Sequence, residues 1–253
     1  MARLVWDQQG QKKYQAGVSE GVLFMGAPTG ASNIPGIPWN GLTKVSQDPD
    51  GGDVNSQYAD NIKYVSLVGE ESTKGTIEAY TYPLEFERCL GHGGLISKGT
   101  DGKLVYHQNG PLVTQQNKEH FSFAYVTKLG NDEKGLEYSE TLHIIYDNIA
   151  SPSQKEHETI GDNPEPITLS VEYNSTPVSV DMSKITWGKT ITKENNKFKP
   201  CSVLEITREG TPEEVAFYDK VKAMVQGDES TESHLPMPDE IFNAYIAAVD
   251  PAA

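Results

Sequence analysis

Residues 167–173 read Ile-Thr-Leu-Ser-Val-Glu-Tyr. Apolar and polar side chains alternate there at a period of two, the pattern of a strand with one buried and one wet face. Ile167, Leu169, Val171 and Tyr173 share the first face; Thr168, Ser170 and Glu172 share the second. The same period sets Phe121, Phe123 and Tyr125 on one side of Phe121–Lys128, and it recurs in part over Tyr138–Tyr146. The turn-forming GNDEKG at 130–135 lies between those two stretches, so they are predicted to form a hairpin. Further strands are expected at Val22–Met25, Leu42–Val45, Ile62–Val68, Thr76–Tyr82, Lys103–His107 and Cys201–Thr207, with Val178–Met182 pairing back after Pro177. The run GAPTGASNIPG at 26–36 excludes helix. LEFERCLG at 84–91 supplies one or two helical turns, stopped by Gly91.

The longer helical signals fall in the last 43 residues. Thr211-Pro212-Glu213-Glu214 offers a cap, a proline suited to the first helical position and a capping-box glutamate. Phe217, Val221 and Met224 follow at helical spacing, and Gly227 closes the helix. Pro238-Asp239-Glu240 opens a second helix with Ile241, Phe242, Tyr245, Ile246 and Val249 on one stripe. The chain is therefore expected to be mainly β over 1–210, with a helical segment, 211–253, packed on the same body. One segment stands apart. Residues 46–61, SQDPDGGDVNSQYADN, read as a polar, acidic loop too long for a simple hairpin connection.

The formal net charge is −15 over 253 residues. That sign opposes ordinary nucleic-acid binding, which needs a basic footprint, and docking to an anionic membrane. No wholly apolar run exceeds six residues, far below the roughly 20 of a membrane span. MARLVWDQQG has no apolar core of a signal peptide, so synthesis in a cytoplasm is expected. Cys89 and Cys201 have neither zinc spacing nor a disulfide framework, although a single bridge between them stays open.

Chemical motifs are weak. Gly17-Val18-Ser19-Glu20-Gly21 matches a nucleophile elbow, but polar residues precede it and a strand-like VLFM follows, where the elbow needs a buried strand and then a helix. His92-Gly93-Gly94 comes after this motif, whereas an oxyanion loop would come before it. The acidic run Asp48–Asp53 breaks the calcium-loop pattern at its sixth residue, Asp53, and at its twelfth, Ala59. The six histidines show no paired ligand spacing, and His143 is expected to be a packed or surface side chain. We expect no enzyme, no cofactor and no metal. A binding or assembly module fits best. One alternative is a carbohydrate-binding β-sandwich adhesin that stacks sugars on Trp39, Tyr58, Tyr80 and Tyr82; another is a β-rich hydrolase using Ser19.

Several blocks, taken in order, carry a resemblance. They are LVWDQQGQKKYQAGVSEGVLF (4–24), IPWNGLTKVSQDPDGGD (37–53), YADNIKYVSLVGEESTKGTIEAYTYPLEFERCLG (58–91), FSFAYVTKLGND (121–132), ETLHIIYDNIASPSQKEHETIGDNPEPITLSVEYNSTPV (140–178) and HLPMPDEI (234–241). Nearly end to end, the chain resembles the major tail proteins, the tail-tube subunits of long-tailed bacteriophages with non-contractile tails. His234 stands where that family has a basic residue before Leu-Pro. The resemblance implies a β-sandwich or half-barrel with a long inter-strand loop and short flanking helices. It implies a virion protein, made in the host bacterial cytoplasm, whose hexameric rings stack into a tube. Its partners would be further copies of itself, a tape-measure protein, and initiator and terminator proteins. Double-stranded DNA would pass through the tube without specific binding, and no membrane is involved. Under this resemblance the loop 46–61 becomes a candidate inter-ring arm, anchored by Val54 and Tyr58, with Asp48, Asp50, Asp53 and Asp60 setting its polarity. Glu78, Thr168, Ser170 and Glu172 become candidates for a lumen face that repels DNA.

Overall fold

The computed structural model describes residues 5–28, 33–69, 71–99, 104–107, 110–151, 159 and 166–251. Thirteen strands and two helices are found among them. The strands are β1 (Lys13–Met25), β2 (Gly36–Trp39), β3 (Leu42–Val45), β4 (Asp48–Gly51), β5 (Val54–Ala59), β6 (Ile62–Val68), β7 (Glu71–Ala79), β8 (Ile96–Lys98), β9 (Leu104–Tyr106), β10 (Phe121–Asn131), β11 (Gly135–Ala150), β12 (Leu169–Ser175) and β13 (Val203–Thr207). The helices are α1 (Pro212–Gln226) and α2 (Pro238–Val249), and a single 3₁₀ turn spans Leu84–Arg88. Nine strands form one antiparallel sheet in the order β2-β1-β10-β11-β12-β7-β3, with β13 also on β11 and β4 also on β7.

The β10–β11 hairpin is the spine. Its turn is closed by Asn131, whose Oδ1 accepts the N–H groups of Glu133 (3.2 Å) and Lys134 (2.7 Å). This is the local bonding for which asparagine favours turns. Strand β11 is long enough to serve two partners on one edge. Residues 141–145 pair with β13 and residues 148–150 with β12. Between them Asp147 lies at φ 47°, where the pairing with β10 also shifts register. A bulge of this kind bends a strand, and here the sheet curls.

The curl gives the sheet two cores. Inside lie Leu23, Trp39, Ile77, Phe86, Phe121, Phe123, Ile145, Val171 and Tyr173. They come from both wings, so the sheet closes over its own apolar face as a half-barrel. Trp39 packs on Phe86 and Phe123 with ring centroids 4.6 and 5.2 Å away. On the other side of the spine, Phe24, Val126, Leu142, Ile144 and Tyr146 meet Phe217, Tyr218, Val221 and Ile241 of the helices. Burying each large side chain contributes roughly 1.5–3 kcal/mol. The expected capping box is present: Thr211 Oγ1 accepts the Glu214 N–H, and Glu214 Oε2 accepts the Thr211 N–H. The Leu235–Pro236 segment docks on the body, with Tyr146 Oη donating to Pro236 O (3.0 Å) and the Leu235 N–H to Ile34 O (3.0 Å).

Several strands differ from expectation. Strand β1 begins at Lys13, nine residues before Val22, because its first half is polar and shows no alternation; it is held instead by pairing with the far end of β10. Strand β2 contains Pro38, which argues against a strand; it sits on the sheet edge, where a missing N–H costs no ladder bond. Strand β12 lies two residues later than expected, a shift that preserves its faces. The return strand at Val178–Met182 is absent apart from one bridge between Val178 and Cys201. Cys89 and Cys201 form no disulfide.

An ionic clamp fixes α1 to the spine. Lys222 Nζ lies 2.7 Å from Glu140 and 2.8 Å from Glu20, and Lys128 Nζ lies 2.8 Å from Glu140. Burial alone would raise the Glu140 pKa; the hydrogen bonds from Lys128 and Lys222 overcome it and bring the value down to about 2 from 4.5. A depressed carboxylate stabilises the fold fully above its unfolded pKa and loses that contribution as pH falls through the folded one. The loss should therefore fall between pH 4.5 and about 2. Glu140→Gln should cost about 1–3 kcal/mol at pH 7, and urea unfolding should show the gap to wild type closing at pH 2–3. An undiminished gap at low pH would exclude an ionic origin.

Candidate functional site

The segment expected to be a long loop is not one. Asp48–Gly51 is strand β4, laid on β7, and β5 and β6 form a separate two-stranded hairpin. The polar composition of 46–61 concealed β4 and β5, whereas β6 lies where a strand was expected, at Ile62–Val68. Asp60 and Asn61 form its tip at φ 51° and 63°. Two successive positive φ angles match the twist of a tight hairpin, and Asp and Asn tolerate them. The two strands extend about 20 Å. Along this arm Tyr58 is 71% exposed, Ile62 64%, Tyr64 75%, Val54 60% and Leu67 55%. A bare two-stranded hairpin is marginally stable in water, and exposed apolar side chains clustered this way mark an interaction surface.

The root of the arm is rigid. Ser46 links β3 to β4 over the edge of β7, its N–H donating to Thr76 O (2.9 Å) and its Oγ accepting the Thr76 N–H (3.0 Å). The Ser46 carbonyl accepts the Tyr173 hydroxyl at 2.8 Å, and Gln47 Nε2 donates to Tyr125 Oη at 2.6 Å. This crossing needs a glycine beneath it: a Cβ on Gly75 would lie 2.0 Å from Ser46 O and 2.7 Å from Tyr173 Oη. At the other side of the root, the Gly69 N–H donates to Asp53 O (3.2 Å) where the chain leaves and re-enters the body.

The candidate residues divide between two surfaces. Asp53, Val54, Tyr58 and Asp60 are exposed on the arm, Asp48 is exposed on β4, and Asp50 is half-buried against Lys74 (3.0 Å). Glu78, Ser170 and Glu172 share the outer face of the β7–β12 pair, Glu78 opposite Ser170 and Glu172 opposite Thr76. Helices do not cover this part of the sheet, and Ser170 and Glu172 are exposed. Thr168 is exposed one residue before β12 starts. Sequence reasoning missed Lys44 and Lys74 on this face: Lys44 lies 3.3 Å from Glu78, so one carboxylate is partly neutralised.

The other motifs resolve into structural roles. Ser19 lies inside β1 between two register shifts, and its Oγ donates to Val126 O at 3.5 Å. The strand-to-helix turn of a nucleophile elbow is therefore absent there. His143 is buried and stacked on Tyr125 (4.6 Å between centroids), with ring nitrogens 2.9 Å from Thr127 Oγ1 and 3.0 Å from Glu205 Oε1. Burial pulls its pKa down, against the Glu205 carboxylate. Of the aromatics considered for sugar stacking, Trp39 is buried in the inner core, and Tyr82 is half-buried with its hydroxyl on Glu87 (2.7 Å). Among the described residues no group of three or more His, Cys, Asp or Glu side chains is placed to hold a metal, and no helix is long and apolar enough to cross a membrane.

No family model and no curated protein matches the chain. Among solved structures it is distantly similar to a chain of an extracellular contractile injection system, the PVC sheath–tube complex in its extended state. That match has 12% identity and a TM-score of 0.25, and covers 62% of this chain and 84% of the other. It is also similar to a chain of the PVC sheath/tube terminator in the extended state, at 14% identity and a TM-score of 0.25, over 64% of this chain and 94% of the other. Likenesses at this level carry no weight on function.

The arm root can be tested by itself. Gly75→Ala should destabilise the protein by about 3 kcal/mol, since the Ser46 carbonyl is main chain held by the Thr76 hydrogen bonds and Tyr173 is buried. Urea unfolding would measure it, and a loss under about 1 kcal/mol would show that the crossing is loose.

Proposed function

We propose that this chain is the structural subunit of a phage tail tube, assembling as stacked hexameric rings that conduct double-stranded DNA. The observation that carries the proposal is the β5–β6 arm. It is a rigidly rooted hairpin, with large apolar side chains bare on a protein that is otherwise strongly acidic. Such an arm is completed by a partner surface. In a ring stack it reaches the neighbouring ring, in agreement with the end-to-end sequence resemblance to tail-tube subunits. A heterologous contact of this type propagates from copy to copy without closing on itself. The other partners in this proposal are the tape-measure, initiator and terminator proteins, and the site of action is the virion tail.

The hairpin can be removed cleanly because Asp53 and Gly69 are hydrogen-bonded neighbours at its base. A chain with 54–68 excised and Asp53 joined to Gly69 through a short glycine turn should remain folded and monomeric. Wild type should give hollow tubes of uniform width in negative-stain electron microscopy. Tubes of normal length from the excised chain would refute the role of the arm.

In this proposal the bare β7–β12 face lines the lumen. Duplex DNA carries one charge per about 1.7 Å, and carboxylates such as Glu78 and Glu172 repel it over a range near 8 Å at physiological salt. DNA then slides without adhering. Phage carrying Glu78→Lys and Glu172→Lys should assemble normally and eject DNA more slowly; unchanged ejection kinetics would place this face elsewhere.

A further inference from the structure

One short segment of this acidic chain is locally basic. Residues 184–199 hold Lys184, Lys189, Lys193, Lys197 and Lys199 against a single acid, Glu194. All five lysines are exposed. The segment has no regular secondary structure, yet α2 holds it firmly. Asp250 Oδ2 accepts the N–H groups of Thr190 and Ile191, both at 2.7 Å, and the Thr190 hydroxyl at 3.0 Å. Asn243 accepts the Thr186 N–H (2.6 Å) and donates to Lys184 O (2.9 Å). Five lysines thus sit on one braced loop, of which Lys184 faces Asp181 at 3.7 Å.

An apolar groove of about 340 Å³ runs between this loop and α2. Trp187, Ile191, Phe198, Phe242 and Tyr245 line it, with Phe198 stacked on Phe242 at 4.5 Å. A partner for this surface must be acidic and apolar together. A phosphate backbone satisfies the lysines and leaves the groove unfilled. The arm satisfies both. Residues 48–71 carry Asp48, Asp50, Asp53, Asp60, Glu70 and Glu71 against Lys63 alone, and the exposed Val54, Tyr58, Ile62 and Tyr64 lie between them.

We infer that the arm of one copy docks on the lysine loop and groove of another copy. This rests on the self-assembly proposed above and adds the receiving surface. Apolar side chains of the arm enter the groove beside Phe198 and Phe242, and the carboxylates at its base and tip face the loop lysines. The loop is braced before the partner arrives, so little ordering is needed on docking. Opposite charges also reject wrong pairings, because two arms repel each other and so do two loops.

A charge exchange tests this in full-length protein. One variant carries Lys189→Glu, Lys193→Glu and Lys197→Glu; the other carries Asp53→Lys and Glu71→Lys. None of these five side chains lies in an ion pair described above, and circular dichroism checks that both variants fold. In sedimentation velocity at low salt, wild type should self-associate, and each variant alone should associate at least about tenfold more weakly. Mixing the two variants should restore association as far as a heterodimer, because the unaltered arm of the loop variant meets the unaltered loop of the arm variant. Raising the salt should weaken the wild-type contact. A loop variant that associates like wild type, while excision of the arm abolishes association, would overturn the docking surface and leave the assembly proposal standing. Wild type that stays monomeric at all concentrations would overturn both. Duplex DNA bound by wild type and lost in the loop variant, with self-association unchanged, would make the loop a nucleic-acid surface and overturn the inference.

Discussion

Burial of the β10–β11 hairpin on both faces is the constraint on which the rest of the molecule depends. Most strands of an antiparallel sheet leave one face to solvent, but Phe121–Val126 is buried at every position. One face therefore needs an aromatic interior and the other a helical cover. The bend at Asp147 folds β12 and β7 over the first face, and the capped helices close the second. Removing either cover would expose a spine that has no polar side to offer. This is why the two C-terminal helices belong to the packing of the sheet.

What was legible in the sequence follows from this division. Strands with one buried face declared themselves by alternation, as Val171 and Tyr173 against Ser170 and Glu172 did. The helices were legible through Thr211, Pro212 and Glu214, whose chemistry is local and independent of tertiary context. Among strands lacking a buried face, β6 was legible through its β-prone residues and others were not. The first half of β1 and the whole of β5 carry polar or mixed residues because nothing in their own chain covers them, and a period of two cannot be read where neither side is dry. The bare faces that hid β5 from sequence reasoning are what make the hairpin the candidate site.

The candidate residues were legible only as a location. Val54, Tyr58 and Asp60 fall on one exposed element, as their clustering suggested. Asp48 and Asp50 belong instead to a body strand, where Asp50 pairs with Lys74. Glu78, Ser170 and Glu172 share a face because β7 and β12 happen to be neighbours, a long-range pairing that no local pattern encodes. Lys44, which partly neutralises Glu78, comes from a third strand and carried no signal of its own.

Net charge is therefore a poor summary of this protein. A uniform −15 would keep copies apart in solution, which would oppose the proposed assembly into a tube. The conflict is removed if the charge is uneven. In the docking inferred above, with lysines on the braced 184–199 loop and carboxylates on the arm, a copy would repel its neighbours in most orientations and attract them in one. Under the proposed assembly, the same acidity that discourages adhesion to DNA would also select the geometry of stacking, through the locally basic 184–199 loop.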